Sequence, residues 1–292
     1  MPTRLQIAKA DIVRHFDDLP KRVLRKSDIA RELSNQRSFW RLAQRTNADS
    51  LTDFLRRHGR LHRHQIDFPG RASELFTWGD DVPRLEILQS LRPRSYFSHY
   101  TAIRLHGLTE QDPKTIYITE HPVNSERRHT PLTQDSIDAA FKRPPRITQQ
   151  VGTSGDIRVC IVNGSSNSGV VDFEMREGSS RPFSVQVTGI ERTLIDATVR
   201  PAYCGGVAEV LRAFENARNK MSANRMRALL QKMEYLYPYH QAIGFYLERA
   251  GFTESALKLF AELPQSFDFY LSHDLGATDY VKRWRLHIPR GL

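Results

Sequence analysis

Cysteine is nearly absent from this sequence of 292 residues: Cys160 and Cys204 are the only two, 44 positions apart. They fit no paired spacing, which excludes a disulfide scaffold and a four-cysteine zinc site and suits free thiols in a reducing cytoplasm. No stretch approaches the roughly 18 consecutive apolar residues of a membrane span. Met1 to Ala10 has neither the apolar core nor the small-residue cleavage site of a signal peptide. A soluble cytoplasmic protein with no membrane partner is expected. Repeats and low-complexity linkers are missing too, and at 39% hydrophobic residues the chain is long enough for two domains.

Acidic residues are scarce at one end. Residues 1–71 hold 16 Lys and Arg against 8 Asp and Glu, an excess of 8, while the other 27 basic and 25 acidic residues nearly balance, for a total of +10. A basic quarter of this kind can be a merely solvated surface, but such clustering is also the footprint of a domain that neutralises phosphates.

The pattern inside that segment sharpens the reading. Ala8, Ile12, Phe16 and Leu19 recur at helical spacing and stop at Pro20. Ser27 is placed to cap a second helix carrying Ile29 and Leu33, ending near Ser34 and Asn35, and Phe39, Leu42 and Ala43 suggest an extra helix from Asn35 to Arg45. Asn47 then caps a helix with Leu51, Phe54 and Leu55 on its apolar face, and Gly59 can supply its left-handed stop. Asp49, Ser50, Thr52, Asp53, Arg56 and Arg57 fall on the opposite face at 100° per residue, although Asp53 could equally be spent on Arg57 at i+4. Arg60 to Asp67, the Pro69-Gly70 pair and Glu74 to Trp78 read as a β-hairpin. Helices followed by a basic hairpin predict a winged helix-turn-helix over residues 1–82, whose last helix enters the major groove of double-stranded DNA while the wing tracks the neighbouring backbone. The candidate DNA contacts are Ser50, Thr52, Arg56, Arg57, Arg63, His64 and Arg71.

Residues 83–292 read as a larger mixed α+β domain, so the fold class is α+β. Helical stripes lie at Leu85, Leu88 and Leu91, at Tyr100, Ile103 and His106, and at Val207, Val210, Leu211 and Phe214, and the stretch from Ala223 to Leu263 is helical again. Strands are expected at Ile116 to Thr119, Ile157 to Val162, Val170 to Phe173 and Phe183 to Val187, with Trp284 to Ile288 as a closing strand. Gly164-Ser165 ahead of Asp172-Phe173-Glu174 is the one tempting catalytic pattern, because nucleotidyltransferases place a Gly-Ser pair before two metal-binding carboxylates. Ser166 to Val171 is too short for the phosphate-holding helix that must intervene, and reads as an ordinary hairpin turn. His99 and His106 share a helical face but have no further ligands, Arg192 and Asp196 form an i,i+4 pair of the helix-stabilising kind, and Gly205-Gly206 lacks the Lys-Ser/Thr of a phosphate loop. No catalytic set, metal site or cofactor follows.

Ser98-His99-Tyr100-Thr101-Ala102-Ile103-Arg104-Leu105-His106-Gly107-Leu108, then Glu191 to Asp196 with Pro201 and Gly205-Gly206-Val207, and finally Trp284-Arg285-Leu286 with Pro289, resemble the AbiEi antitoxins of type IV toxin–antitoxin systems. The resemblance implies a bacterial antitoxin of a phage-defence system. Its N-terminal domain would repress its own operon at inverted repeats, and its C-terminal domain would counteract a nucleotidyltransferase toxin, its functional partner. The expected function is therefore a non-enzymatic, DNA-binding antitoxin. The alternatives are a metal-dependent nucleotidyltransferase or nuclease using Asp172 and Glu174, and a transcriptional regulator independent of any toxin with a ligand sensor as its second domain.

Overall fold

The computed structural model describes residues 2–120, 131–164, 166–176 and 181–292. Along the first third run α1 (Arg4–Ile7), α2 (Lys9–Asp18), β1 (Val23–Leu24), α3 (Lys26–Gln36), α4 (Ala48–His58), β2 (Leu61–Phe68), β3 (Arg71–Trp78) and α5 (Arg84–Gln89). Next come β4 (Ser95–Phe97), α6 (His99–Leu105), β5 (Thr115–Glu120), α7 (Gln134–Phe141), β6 (Val151–Ser154), β7 (Ile157–Asn163), β8 (Val170–Met175) and β9 (Phe183–Thr188). The rest holds α8 (Ile190–Val199), α9 (Val207–Ala217), α10 (Ala223–Met233), α11 (Tyr239–Arg249), α12 (Glu254–Ala261), β10 (Phe269–Tyr270), β11 (Thr278–Val281) and β12 (Leu286–Pro289). The class is mixed α+β, as composition and patterning predict. Among the described residues no helix is long and apolar enough to cross a membrane.

Two compact units divide the chain, and the division is discontinuous. The first gathers the described residues of 1–95, 151–156 and 173–185, and the second those of 96–150, 157–172 and 186–292. A cut after residue 82 therefore does not follow the contacts: α5 and β6 belong with the N-terminal elements.

In the first unit, Ile12, Phe16, Ile29, Leu33, Leu51 and Leu55 come from three amphipathic helices and bury a common core with Leu61, Phe76 and Trp78 of the hairpin. The strands run in the order β1-β3-β2-β6. β2 and β3 pair antiparallel in an unbroken register from Leu61 opposite Trp78 to Phe68 opposite Arg71, and β1 closes on the far side of β3 through Val23 opposite Thr77. Pro69 and Gly70 make the tip, with Gly70 at φ 82, a left-handed conformation that glycine takes without steric cost. Two helix expectations fail locally. Residues 37–45 form turns instead of an extra helix, yet still bury Trp40 and Leu42. α3 starts one residue before Ser27, with the Asp28 carboxylate accepting the Arg25 backbone N–H at 2.9 Å, so Ser27 is not its cap.

The remaining strands run in the order β7-β5-β4-β9-β8, with β5 parallel to β7 and β4 parallel to β9. β7 and β8 are thus not neighbours. Three strands separate them in the order, which corrects the reading of Ser166 to Val171 as a hairpin turn. Helices α8 to α11 and the small sheet β10-β12-β11 share one core, with Phe214, Tyr246, Phe260 and Trp284 fully buried in it. Trp284 lies against Gly244 of α11 so closely that a Cβ at that glycine would enter the indole ring. Gly244→Ala is accordingly expected to destabilise the protein by about 1–3 kcal/mol, the usual cost of overpacking, in a denaturant titration. An unchanged midpoint would show that the helix and Trp284 are not in this contact.

Candidate functional site

The basic N-terminal surface is built on α4. Asn47 caps the helix, its side-chain oxygen accepting the Ser50 N–H at 2.9 Å. Leu51, Thr52, Phe54 and Leu55 are buried, while Asp49, Ser50, Asp53, Arg56 and Arg57 are exposed. Thr52 therefore lies on the inner side, with its hydroxyl donating to the Ala48 carbonyl at 2.7 Å, and is withdrawn from the candidate DNA contacts by burial. Its position beside the boundary of a narrow apolar stripe gave no sign of this. Gly59 follows the helix at φ −115 and not in the left-handed region. Glycine is required there for a different reason: a Cβ would stand 2.8 Å from the Trp78 ring and from the Leu55 carbonyl oxygen.

Charge pairing decides which cations of this surface are free. Asp49 is paired with Lys26 of α3, and Asp53 lies 3.9 Å from Arg56, not on Arg57 as the i+4 spacing allowed. Arg57 and Arg71 are exposed and make no ion pair among the described residues. Arg56, Arg57 and His58 occupy the last turn, where positive charge complements the helix dipole. On the hairpin, Arg63 is taken up by Glu74 across the strand pair and by Gln65 at 2.9 Å. His64 is half-buried, with Nε2 2.9 Å from the Thr77 hydroxyl, and burial pushes its imidazole pKa down. Of the seven predicted contacts, the fold leaves Ser50, Arg56 and Arg57 on the outer face of α4 and Arg71 beside the hairpin tip, and ties Arg63 and His64 into the hairpin itself.

In the second unit the short polar motifs converge. α6 and α8 pack together, and His106, just after α6, places Nε2 2.6 Å from the carbonyl of Thr188 at the end of β9. Arg192 is buried, donating to Asp196 at 2.8 Å and to the backbone carbonyls of Ser168 at 2.6 Å and Ser166 at 3.1 Å. It thereby fastens residues 166–169 onto α8. Asp196 is also bonded by Tyr235; burial pushes its carboxyl up while Arg192 opposes the rise. At the start of α6, His99 is held at φ 52, uncommon for a residue with a side chain, and its Nδ1 lies 2.8 Å from the Ser98 hydroxyl, which meets Thr119 at 2.6 Å. His99, Thr119, Arg192, Asp196 and Tyr235 line a pocket of about 130 Å³ with Gly164 and Arg200. Sequence reasoning missed Thr119, Arg200 and Tyr235, which come from separate segments and carry no periodic signal.

Asp172 bonds Gln186 on the neighbouring strand, and both Asp172 and Glu174 are exposed. Ser165 lies outside the described residues. Among those described, no group of three His, Cys, Asp or Glu side chains could hold a metal ion. Both cysteines are buried and free, with burial raising both thiols, Cys160 to about 11.

No family model matches the chain, and no curated protein matches it. Among solved structures it is similar to the RV2827C protein from Mycobacterium tuberculosis, at 15% sequence identity and a TM-score of 0.59 over 98% of this chain and 93% of that one. At this identity the likeness is one of fold.

The His99 site generates a pH dependence. Burial, with the Arg200 and Arg192 charges, pushes the His99 imidazole down to about 3, against an ordinary value of 6.5. The unfolded chain takes up this proton below about pH 6.5 and the folded one does not, so the contribution is complete above that pH and is lost on acidification. The loss is about 1.4 kcal/mol per pH unit down to the folded value. His99→Gln should flatten the slope of unfolding free energy by that amount between about pH 4 and 6, measured by denaturant titration. Parallel slopes for the two proteins would assign the acid sensitivity elsewhere.

Proposed function

We propose that the chain is a DNA-binding antitoxin without catalytic activity, which represses its own operon through a winged helix-turn-helix and counteracts a nucleotidyltransferase toxin. The observation that carries the DNA-binding half is the sequence of elements α2, β1, α3, α4 and the β2–β3 hairpin, with β1 closing on β3 and with Arg57 and Arg71 exposed and unpaired among the described residues. In a winged helix-turn-helix that order puts α4 in the major groove and the hairpin beside the backbone. Ser50, Arg56 and Arg57 are then the base-reading candidates and Arg71 the phosphate contact.

The antitoxin half rests on the resemblance of the segments 98–108 and 191–207 to AbiEi antitoxins. Their helical parts, α6 and α8, pack against each other, and His99, Arg192 and Asp196 border one small pocket. Inverted repeats ahead of the gene and an adjacent nucleotidyltransferase gene are the partners this reading names.

Gel-shift titration at physiological salt, with the promoter and a scrambled duplex, tests the first half. The promoter should be preferred at least about tenfold, Arg57→Ala should cost about 1–3 kcal/mol on the promoter, and Arg71→Ala should weaken both duplexes alike and lower the salt slope by about one. Equal affinity for the two duplexes would overturn sequence-specific repression. Expression of the full chain from a foreign promoter, together with the neighbouring nucleotidyltransferase, should restore growth. Failure to do so removes the antitoxin role and leaves a regulator independent of any toxin.

A further inference from the structure

The second unit holds a cavity of about 610 Å³, within the size range of small-molecule sites, between the segment after α7, the end of α8 and the Tyr235 to Tyr239 stretch that enters α11. Its charge is one-sided. Arg143, Arg146 and Arg200 line it, no carboxylate does so among the described residues, and none of the three guanidinium groups is in an ion pair among those residues. Arg200 makes a long 3.4 Å contact to the Asn163 carbonyl, lies 5.9 Å from the centre of the Tyr203 ring, and also borders the smaller His99 pocket, where its charge acts on Asp196. Three guanidinium groups without an ion pair among the described residues, in one concavity, focus a field that attracts anions, and guanidinium groups match phosphate oxygens in pairs.

The other walls are apolar and aromatic. Ile147 and Leu236, 49% and 50% exposed, both border the cavity, although the described surface carries only six such large hydrophobic side chains. Tyr237 is half-buried, its ring held edge-on by Phe141 at 5.2 Å and by Tyr239 at 6.1 Å, so it stands as a fixed platform. A bare phosphate ion would leave this apolar wall unused, and an uncharged aromatic ligand would leave three arginines unpaired. We propose that the cavity binds a nucleoside phosphate, its base against Tyr237 and the exposed aliphatic rim and its phosphates on Arg143, Arg146 and Arg200. Base stacking and guanidinium pairing are the two interactions by which proteins hold such ligands.

Isothermal titration of the full chain tests this, with the four common nucleoside triphosphates, adenosine, inorganic tripolyphosphate and a 5′-phosphorylated single-stranded tetranucleotide as probes. At least one triphosphate or the tetranucleotide should saturate one site, with adenosine and tripolyphosphate each at least about tenfold weaker. Preference for the mononucleotide marks a free nucleotide as ligand, and preference for the tetranucleotide marks the end of a strand. The double variant Arg143→Ala with Arg146→Ala should raise the dissociation constant at least about tenfold, and Tyr237→Leu, which keeps bulk but loses the ring, should raise it as well. Both arginines are exposed, so circular dichroism should report an intact fold. Adenosine or tripolyphosphate binding as tightly as the nucleotide would overturn the proposal. So would the absence of saturable nucleotide binding at millimolar concentration, or an affinity unchanged in the double arginine variant.

Discussion

Trp78 closes β3 with its indole N–H donated to the Asp17 carboxylate of α2 at 2.8 Å and its ring 5.2 Å from that of Phe16. The same ring fills the space that a side chain at Gly59 would need. One buried side chain thus ties together α2, the end of α4 and the final pair of the hairpin. Burying an indole is favourable only if its N–H finds an acceptor, and Asp17 supplies one while also pairing with Arg60. The hydrogen bond from Trp78 is the leading cause that holds the Asp17 carboxyl below its ordinary range. Because α4 meets the hairpin through this contact, the exposed arginine at the end of the helix and the strands that follow it are set by packing and not by a loose linker.

The second unit uses buried charge in the corresponding place. Removing a guanidinium and a carboxylate from water costs several kcal/mol each, and the mutual attraction offsets this only when the remaining donors and acceptors are satisfied. Arg192 meets that condition with Asp196 and two backbone carbonyls, and Asp196 with Tyr235. The result is a clamp on Ser166 and Ser168, reinforced by the Tyr96 hydroxyl of β4 donating to the Ser166 carbonyl at 3.1 Å. His99 stays neutral beside this cluster because desolvation and two nearby arginines oppose its protonation. The short polar motifs that look chemical in the sequence are therefore occupied with holding the fold, and the less conspicuous arginines after α7 and at the end of α8 face the larger cavity.

Net charge by itself misjudges both units. Several N-terminal cations are paired where they lie, Arg60 with Asp17, Arg63 with Glu74, Lys26 with Asp49, and Lys21 and Arg31 with Asp28, which leaves the net excess unchanged but decides which side chains carry it. The exposed cations without an ion pair among the described residues include Arg57 on α4 and Arg71 beside the hairpin tip, and also Lys9, Arg14, Arg41 and Arg45. The rest of the chain, nearly balanced in composition, nonetheless collects around one concavity three arginines that make no ion pair among the described residues. Local pairing, which depends on a few ångströms, decides what a partner meets.

The helices with a clear apolar stripe, the hairpin around Pro69 and Gly70, the strands rich in β-branched residues and the mixed α+β class were legible because periodicity and turn chemistry act between residues close in sequence. The same local rules explain the misses. Phe39, Leu42 and Ala43 mimic a stripe, but Trp40 and Leu42 reach the core from turns. Thr52 sits at the edge of a helical face, and only the packing of α4 against its neighbours determines that it is buried. Neither the order β7-β5-β4-β9-β8, nor the cross-strand capture of Arg63, nor the gathering of Arg143, Arg146 and Arg200 leaves a trace in local pattern. By itself the sequence determined which segments become helix or strand and where basic charge is concentrated. The tertiary structure decided which of those charges stay free and which distant residues share a site, because ion pairing and burial depend on distances that only the packed chain sets.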